Sequence, residues 1–193
     1  MTVYRPELHA TAERGILEGP AGIYRTGGPD DRVWHMFYQY RPTPDAPSRW
    51  GHEISEDDSF SWLECDDVIA PVGGETAVRA GSVASAGEGV DLYFTSATAA
   101  GNTIQIAHVA HVDELCVETD EAEDAQVSKA VTRLGAVVED AAGATNFRSP
   151  CVVPAWRDED ERAGGHDGWL MLAVADNTSG PRLVILESPD GRD

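Results

Sequence analysis

What most constrains this chain is a recurrence. Short β-prone runs, each bounded by Gly, Pro or Asp clusters, follow one another along its length with little helical periodicity between them. Runs 21–25 (AGIYR), 33–40 (VWHMFYQY), 50–55 (WGHEIS) and 61–65 (SWLEC) make a first group of four. Runs 79–86 (RAGSVASA), 90–97 (VDLYFTSA), 103–110 (TIQIAHVA) and 132–138 (TRLGAVV) make a second. Runs 147–153 (FRSPCVV), 169–175 (WLMLAVA) and 182–188 (RLVILES) leave a third group with three members. Hairpins strung in this way predict an all-β fold, and repeated four-stranded units predict the blades of a β-propeller, which limits exposed edges by radial repetition. Residues 1–193 are then expected to form a single partial propeller domain, with three groups of runs and closure unsolved.

Charge narrows the partners. Asp plus Glu number 34 against 14 Lys plus Arg, a formal net charge of -20, and Lys129 is the single lysine. Such a surface repels phosphate backbones and anionic headgroups, so no nucleic acid and no membrane is expected as a partner; a neutral small carbohydrate remains compatible. The same acidity suits a solvated surface selected for solubility, as in a salty cytoplasm. Residues 112–126 and 157–168 concentrate like charge and are expected to be solvated loops. No apolar run approaches the roughly 18 residues of a membrane-spanning helix, and the N-terminal residues show no secretory pattern. Cys65, Cys116 and Cys151 are odd in number and widely spaced, which predicts free, buried thiols in a reducing, cytoplasmic setting.

Several segments then line up with one family. Arg5-Pro6-Glu7-Leu8-His9 is followed by Gly15-Ile16-Leu17-Glu18-Gly19-Pro20-Ala21-Gly22, by Phe37-Tyr38-Gln39-Tyr40-Arg41-Pro42, and by Trp50-Gly51-His52 running through Asp58 to Trp62. Downstream come Ala80-Gly81-Ser82, Asp91-Leu92-Tyr93-Phe94-Thr95, Gln105-Ile106-Ala107, Phe147-Arg148-Ser149-Pro150 and Trp169-Leu170-Met171-Leu172. In this order they resemble the N-terminal propeller portion of glycoside hydrolase family 32, the invertases, inulinases, levanases and sucrose-6-phosphate hydrolases. The resemblance implies a five-bladed propeller, of which only about three blades fall within this chain, and β-fructosidase chemistry on fructose-containing sugars.

That chemistry needs two carboxyl groups roughly 5 Å apart, one as nucleophile and one as acid/base. The family's nucleophile, the Asp of Asn-Asp-Pro-Asn-Gly, falls on Gly19. Its neighbour Glu18 takes the family's Asn position, and in a regular extended segment it would point to the opposite face, so it is not expected to be a simple replacement. The carboxylate of Arg-Asp-Pro falls on Ser149, with Arg148 kept. The acid/base belongs to a Glu-Cys-Pro segment that Cys151 and Glu187 do not reproduce. No catalytic residue is therefore assigned. The resemblance assigns substrate binding to Gln39, Trp50, Ser82 and Arg148: amide, hydroxyl and guanidinium groups for sugar hydroxyls, and an aromatic face for the ring. The bland alternative for Gln39 and Trp50 is a core and inter-blade role.

Nothing else in the sequence carries chemistry. His108 and His111 sit in a strand-like run with side chains on opposite faces, so no metal site is expected. No GxSxG elbow surrounds Ser82, no P-loop or GxGxxG is present, and no cofactor is implied. The leading expectation is a degenerate, catalytically impaired family 32 protein, a pseudoenzyme that retains carbohydrate binding. One alternative is a structural module whose open edges need a second copy or a partner chain. The other is an active glycosidase acting on sucrose or fructans through rearranged carboxylates, with Glu18, Glu53 or Asp58 standing in.

Overall fold

The computed structural model describes residues 14–56, 61–116, 126–138, 143–155 and 168–192. Asp58, the Arg5–His9 motif and most of both charge-rich segments lie outside them. Among the described residues eleven strands account for nearly all regular structure: β1 (Ile16–Thr26), β2 (Val33–Arg41), β3 (Arg49–Ser55), β4 (Leu63–Ile69), β5 (Glu75–Ala86), β6 (Gly89–Thr98), β7 (Gly101–Val109), β8 (Val131–Val138), β9 (Thr145–Pro154), β10 (Trp169–Asn177) and β11 (Gly180–Ser188). Every named pair is antiparallel between chain neighbours, giving sheets β1-β2-β3-β4, β5-β6-β7-β8 and β9-β10-β11. The grouping read from turn signals is the grouping observed, and the sheets are blades of a propeller. Among the described residues no helix is long and apolar enough to cross a membrane.

Boundaries moved where the alternation is weak. β1 starts at Ile16 rather than at residue 21, because Ile16, Leu17 and Glu18 are exposed and give no burial signal. β4 runs on to Ile69, and β5 opens at Glu75. The segment expected to be a solvated loop from residue 112 is corrected at its start: Val112–Leu115 is a single 3-10 turn whose Val112 and Leu115 are buried in the core. Val127 then bridges Asp67 of β4. The acidic letters hid two apolar anchors spaced for one turn.

Two apolar layers hold the blades together. Ala21, Phe37, Trp50, Val68 and Ile69 of the first sheet pack on Val78, Val90, Leu92 and Phe94 of the second. The second sheet's other face brings Tyr93, Ile104 and Ile106 onto Val152, Met171, Ala173 and Ala175 of the third. The third sheet's far face has no such cover among the described residues: Leu183 is 69% exposed and Ile185 70%, with Leu172 and Val153 beside them. The expectation of buried thiols holds only for Cys65. Cys116 is half-buried, and Cys151 lies on that bare face, opposite Leu172.

Inside the first blade, His35 and His52 stack with centroids 5.3 Å apart, and His35 Nδ1 lies 3.1 Å from His52 Nε2. Burial disfavours their charged forms, holding His35 at about 4 and, with His35 as a further repulsion, His52 at about 3. Asp67 opposes them: burial raises it to about 6 even though Tyr40 and Arg49 favour its ionised form. Both histidines contribute stability above their ordinary pKa that is lost as pH falls, because the unfolded chain then binds two protons the fold refuses. Between about pH 6 and 4 Asp67 returns one proton to the folded side, leaving a net loss of about one proton, or ~1.4 kcal/mol per pH unit. Denaturant unfolding followed from pH 7 to 4 is expected to show this fall, and His52→Gln is expected to lower stability at pH 7 while flattening the slope.

Candidate functional site

The first strands of successive blades, β1, β5 and β9, are neighbours, and each carries a register break. In β1 the breaks fall at Glu18 and Ala21; in β5 at Thr76 and at Ala80-Gly81; in β9 they include Ser149-Pro150. A bulge removes a backbone N–H from its ladder and re-aims the side chains around it. Here the freed amides are bonded by the preceding blade. Ala80 N–H donates to Gln39 Oε1 at 2.6 Å, and Ser149 N–H donates to Thr95 Oγ1 at 2.8 Å. Val152 N–H donates to Ser82 Oγ at 2.9 Å, and the Trp50 indole N–H donates to the Arg79 carbonyl at 3.0 Å.

These bonds place three of the four expected sugar ligands in the inter-blade seams. Trp50 has 0% exposure, with its ring edge-on to Phe94, so no face of it is open to a sugar in this arrangement. Ser82 spends its oxygen on β9. Gln39 uses its carbonyl on Ala80 and its amide N–H on Glu18. Arg148 is held within its own blade, Nη2 to Asp176 Oδ1 at 2.9 Å and Nη1 to the Asn146 carbonyl at 2.8 Å. Ser149 is exposed at φ 57°, a left-handed conformation that a non-glycine residue adopts at a cost.

Glu18 overturns the argument from regular alternation. Because it is the extra residue of a bulge, its carboxylate reaches the face of Gly19 and Gln39, which pair across β1 and β2. Ser48 donates to Oε2 at 2.5 Å, the Gln39 amide donates to the same oxygen, and Arg41 Nε lies 2.8 Å from Oε1. Burial alone would raise its pKa, but the Ser48 and Gln39 hydrogen bonds and the Arg41 charge outweigh it and hold the carboxyl below the ordinary range. Arg41 and Ser48 were not singled out in the sequence; their signal would have been adjacency to Phe37–Tyr40 and to Trp50. Glu53, the other alternative carboxylate within the described residues, is buried at 3% exposure. At Gly19 an added Cβ would meet nothing within 4 Å.

The histidines behave as structure. His108 Nδ1 lies 2.7 Å from Asp91 Oδ1, which Arg192 also pairs at 3.0 Å, while His111 precedes the 3-10 turn. Among the described residues no group of three His, Cys, Asp or Glu could hold a metal ion.

Successive antiparallel sheets whose bulged first strands lie side by side define a β-propeller. The particular family follows from the match of residues 9–193 to the model of the glycosyl hydrolases family 32 N-terminal domain, and the chain belongs to that family. Solved structures agree in fold. Fructan 1-exohydrolase IIa from Cichorium intybus superposes with a TM-score of 0.68 at 18% identity, over 96% of this chain and 32% of that one. Sucrose-6-phosphate hydrolase from Lactobacillus gasseri gives 0.66 at 18%, over 93% and 33%. A beta-fructofuranosidase from Bombyx mori gives 0.65 at 20%, over 98% and 36%. The chain thus spans about a third of the length of these enzymes. No curated protein matches it.

Space at two glycines yields a contrast in stability. Gly19→Asp is expected to leave stability within about 0.5 kcal/mol of the original, since its side chain enters open space. Gly81→Ala would put a Cβ 2.0 Å from the Tyr93 carbonyl oxygen and 2.9 Å from Pro150, and is expected to cost about 3 kcal/mol or more. Denaturant midpoints of the two variants check both.

Proposed function

We propose that this chain is a catalytically impaired member of family 32 that binds a fructose-containing sugar at the rim formed by its bulged first strands. The carrying observation is the side chain absent from Gly19, where the family resemblance asks for a nucleophile. Ser149, uncharged, stands at the second carboxylate position. Double displacement needs a carboxylate free to form and release a glycosyl ester. Glu18 is the nearest acid in sequence, and three donors already stabilise its negative charge, which lowers its tendency to attack. The relatives support the ligand class: the chicory enzyme was solved with 1-kestose and the Bombyx mori enzyme, as a variant, with sucrose. A neutral sugar also suits a chain of net charge -20.

Calorimetric titration with fructose, sucrose and short inulin, with product analysis of the same samples, tests this reading. Binding at a Kd of about a millimolar with no product is expected. Ser149→Gly is the informative variant, expected to weaken binding without unfolding the chain, because Ser149 is exposed at a φ that glycine tolerates. Gln39→Ala would strip the Ala80 amide of its acceptor, and Trp50→Ala would remove a core side chain at a cost of about 3–5 kcal/mol. Hydrolysis that disappears in Glu18→Gln would overturn the reading in favour of a rearranged glycosidase.

A second reading, an assembly role, is favoured by the bare far face of the third blade. That face continues a series in which each preceding far face is covered by the next blade, and exposed aliphatic patches of this kind mark interaction sites. A second copy seated there would make the chain dimerise through Leu172, Leu183 and Ile185. Sedimentation equilibrium is expected to report a dimer that Ile185→Asp dissociates; a monomer at micromolar concentration would remove self-association.

A further inference from the structure

The outer sides of the three sheets end in β4, β8 and β11. An edge strand offers a row of unpaired N–H and C=O groups, and proteins blunt such edges with bulges, charges or a covering segment. Two of the three edges here are blunted. Residues 126–128 run along β4: Asp67 N–H donates to the Gln126 carbonyl at 2.8 Å, and Ser128 N–H donates to the Asp67 carbonyl at 2.7 Å. β8 is broken twice, at Leu134 and Val137, and Gly135 between them sits at φ 108°.

β11 has neither device. It pairs β10 through nine consecutive residues with no register shift, and Leu183-Val184-Ile185-Leu186 at its centre carries no charge, proline or glycine. Among the described residues no strand lies along its outer side. Exposure on the far face of this sheet peaks at the same edge. Val153 on β9 is 45% exposed and Leu172 on β10 41%, against 69% for Leu183 and 70% for Ile185. What these two side chains lack is a neighbour beside them, in the plane of the sheet.

The sequence of β11 suits pairing with itself. A twofold axis perpendicular to the sheet keeps every side chain on its own face, so it must pass level with a residue. An axis at Val184 sets Leu183 against the partner's Ile185 and Arg182 against the partner's Leu186. An axis at Leu183 would set Val184 against an arginine, and one at Ile185 would set Leu183 against a glutamate. Antiparallel pairing also brings the Arg182 end of one strand beside the Glu187 end of the other, so that unlike charges meet.

We propose that the β11 edge is a self-association site, at which β11 of a second copy adds as the next strand and the three strands of each copy become one continuous sheet. The proposal rests on the assembly reading above for its occupant, a second copy, and replaces stacking on the bare face with strand pairing. Main-chain hydrogen bonds hold the pair, and the Leu183–Ile185 contacts fix its register.

Sedimentation equilibrium of the full chain and of Leu172→Lys, Leu183→Lys and Ile185→Lys decides it, together with disulfide cross-linking of Leu183→Cys mixed with Ile185→Cys in a Cys116→Ser/Cys151→Ser background. Thermal melts establish that the variants fold. The expected result is a dimer whose Kd changes less than about twofold in Leu172→Lys and rises about tenfold or more in the two β11 lysine variants. The mixed cysteine proteins are expected to cross-link and each alone to cross-link poorly, because opposite residues lie about 5 Å apart and the diagonal ones about 7–8 Å. A dimer lost in Leu172→Lys, with no preference for the mixed cross-link, overturns the edge and leaves the stacked assembly standing. A monomer at micromolar concentration, or a dimer that all three lysine variants leave intact, overturns both.

Discussion

A β-bulge takes an amide out of its own ladder, and in this chain the bulged amides of β5 and β9 are bonded by the blade before. Gln39 accepts from Ala80 and Thr95 accepts from Ser149, while Ser82 and Trp50 close the same seams nearby. The rest of the arrangement depends on this. Without an acceptor each buried amide would carry an unmet desolvation cost of about 1–3 kcal/mol, and the irregular first strands could not be kept. With it, the irregularity becomes a feature: bulges aim side chains toward the rim, and the seams fix the spacing of neighbouring blades. Close glycine contacts complete the seam, Gly22 against Val83 and Gly81 against Pro150, where a methyl group would collide.

The same economy explains why the expected sugar ligands look structural. Gln39 and Ser82 each have few bonding groups, and the seams consume them. Thr103 and Thr145, which belong to no motif, keep hydroxyls without a protein partner among the described residues. Glu18, Arg41, Ser48 and Gln39 meanwhile form a closed charge-balanced cluster. An anionic ligand would face an acidic protein without a free cation in that cluster, whereas a neutral one loses little by approaching it.

The apolar layers follow a serial logic. The second sheet has two apolar faces, and the two interfaces bury them against the first and third sheets with residues at most 9% exposed. The third sheet keeps the same composition on its far side, Leu172, Val174, Leu183 and Ile185, yet nothing among the described residues lies over it. Its letters are those of a buried blade; its exposure is a consequence of position in the series.

Much of the fold was legible because its determinants are local. Turn residues and β-branched runs place strands without reference to anything distant, so eleven strands in groups of four, four and three could be read directly, and the in-register motifs pointed to the family. The site was only half legible. That Gly19 and Ser149 lack carboxylates is a property of the letters, and no structure can change it. Where Glu18 points is not, because a single extra residue in a strand reverses the alternation on which the sequence argument relied. Likewise the letters could not tell a Trp50 stacked on a sugar from a Trp50 sealed in a seam, since both need the same ring and differ only in what the next blade brings against it. The sequence by itself determined the strand grouping and the family, and that Gly19 and Ser149 carry no carboxylate. Only the tertiary structure decided which polar side chains are already bonded and which remain open to a ligand, because hydrogen-bond capacity is shared between blades far apart in the chain.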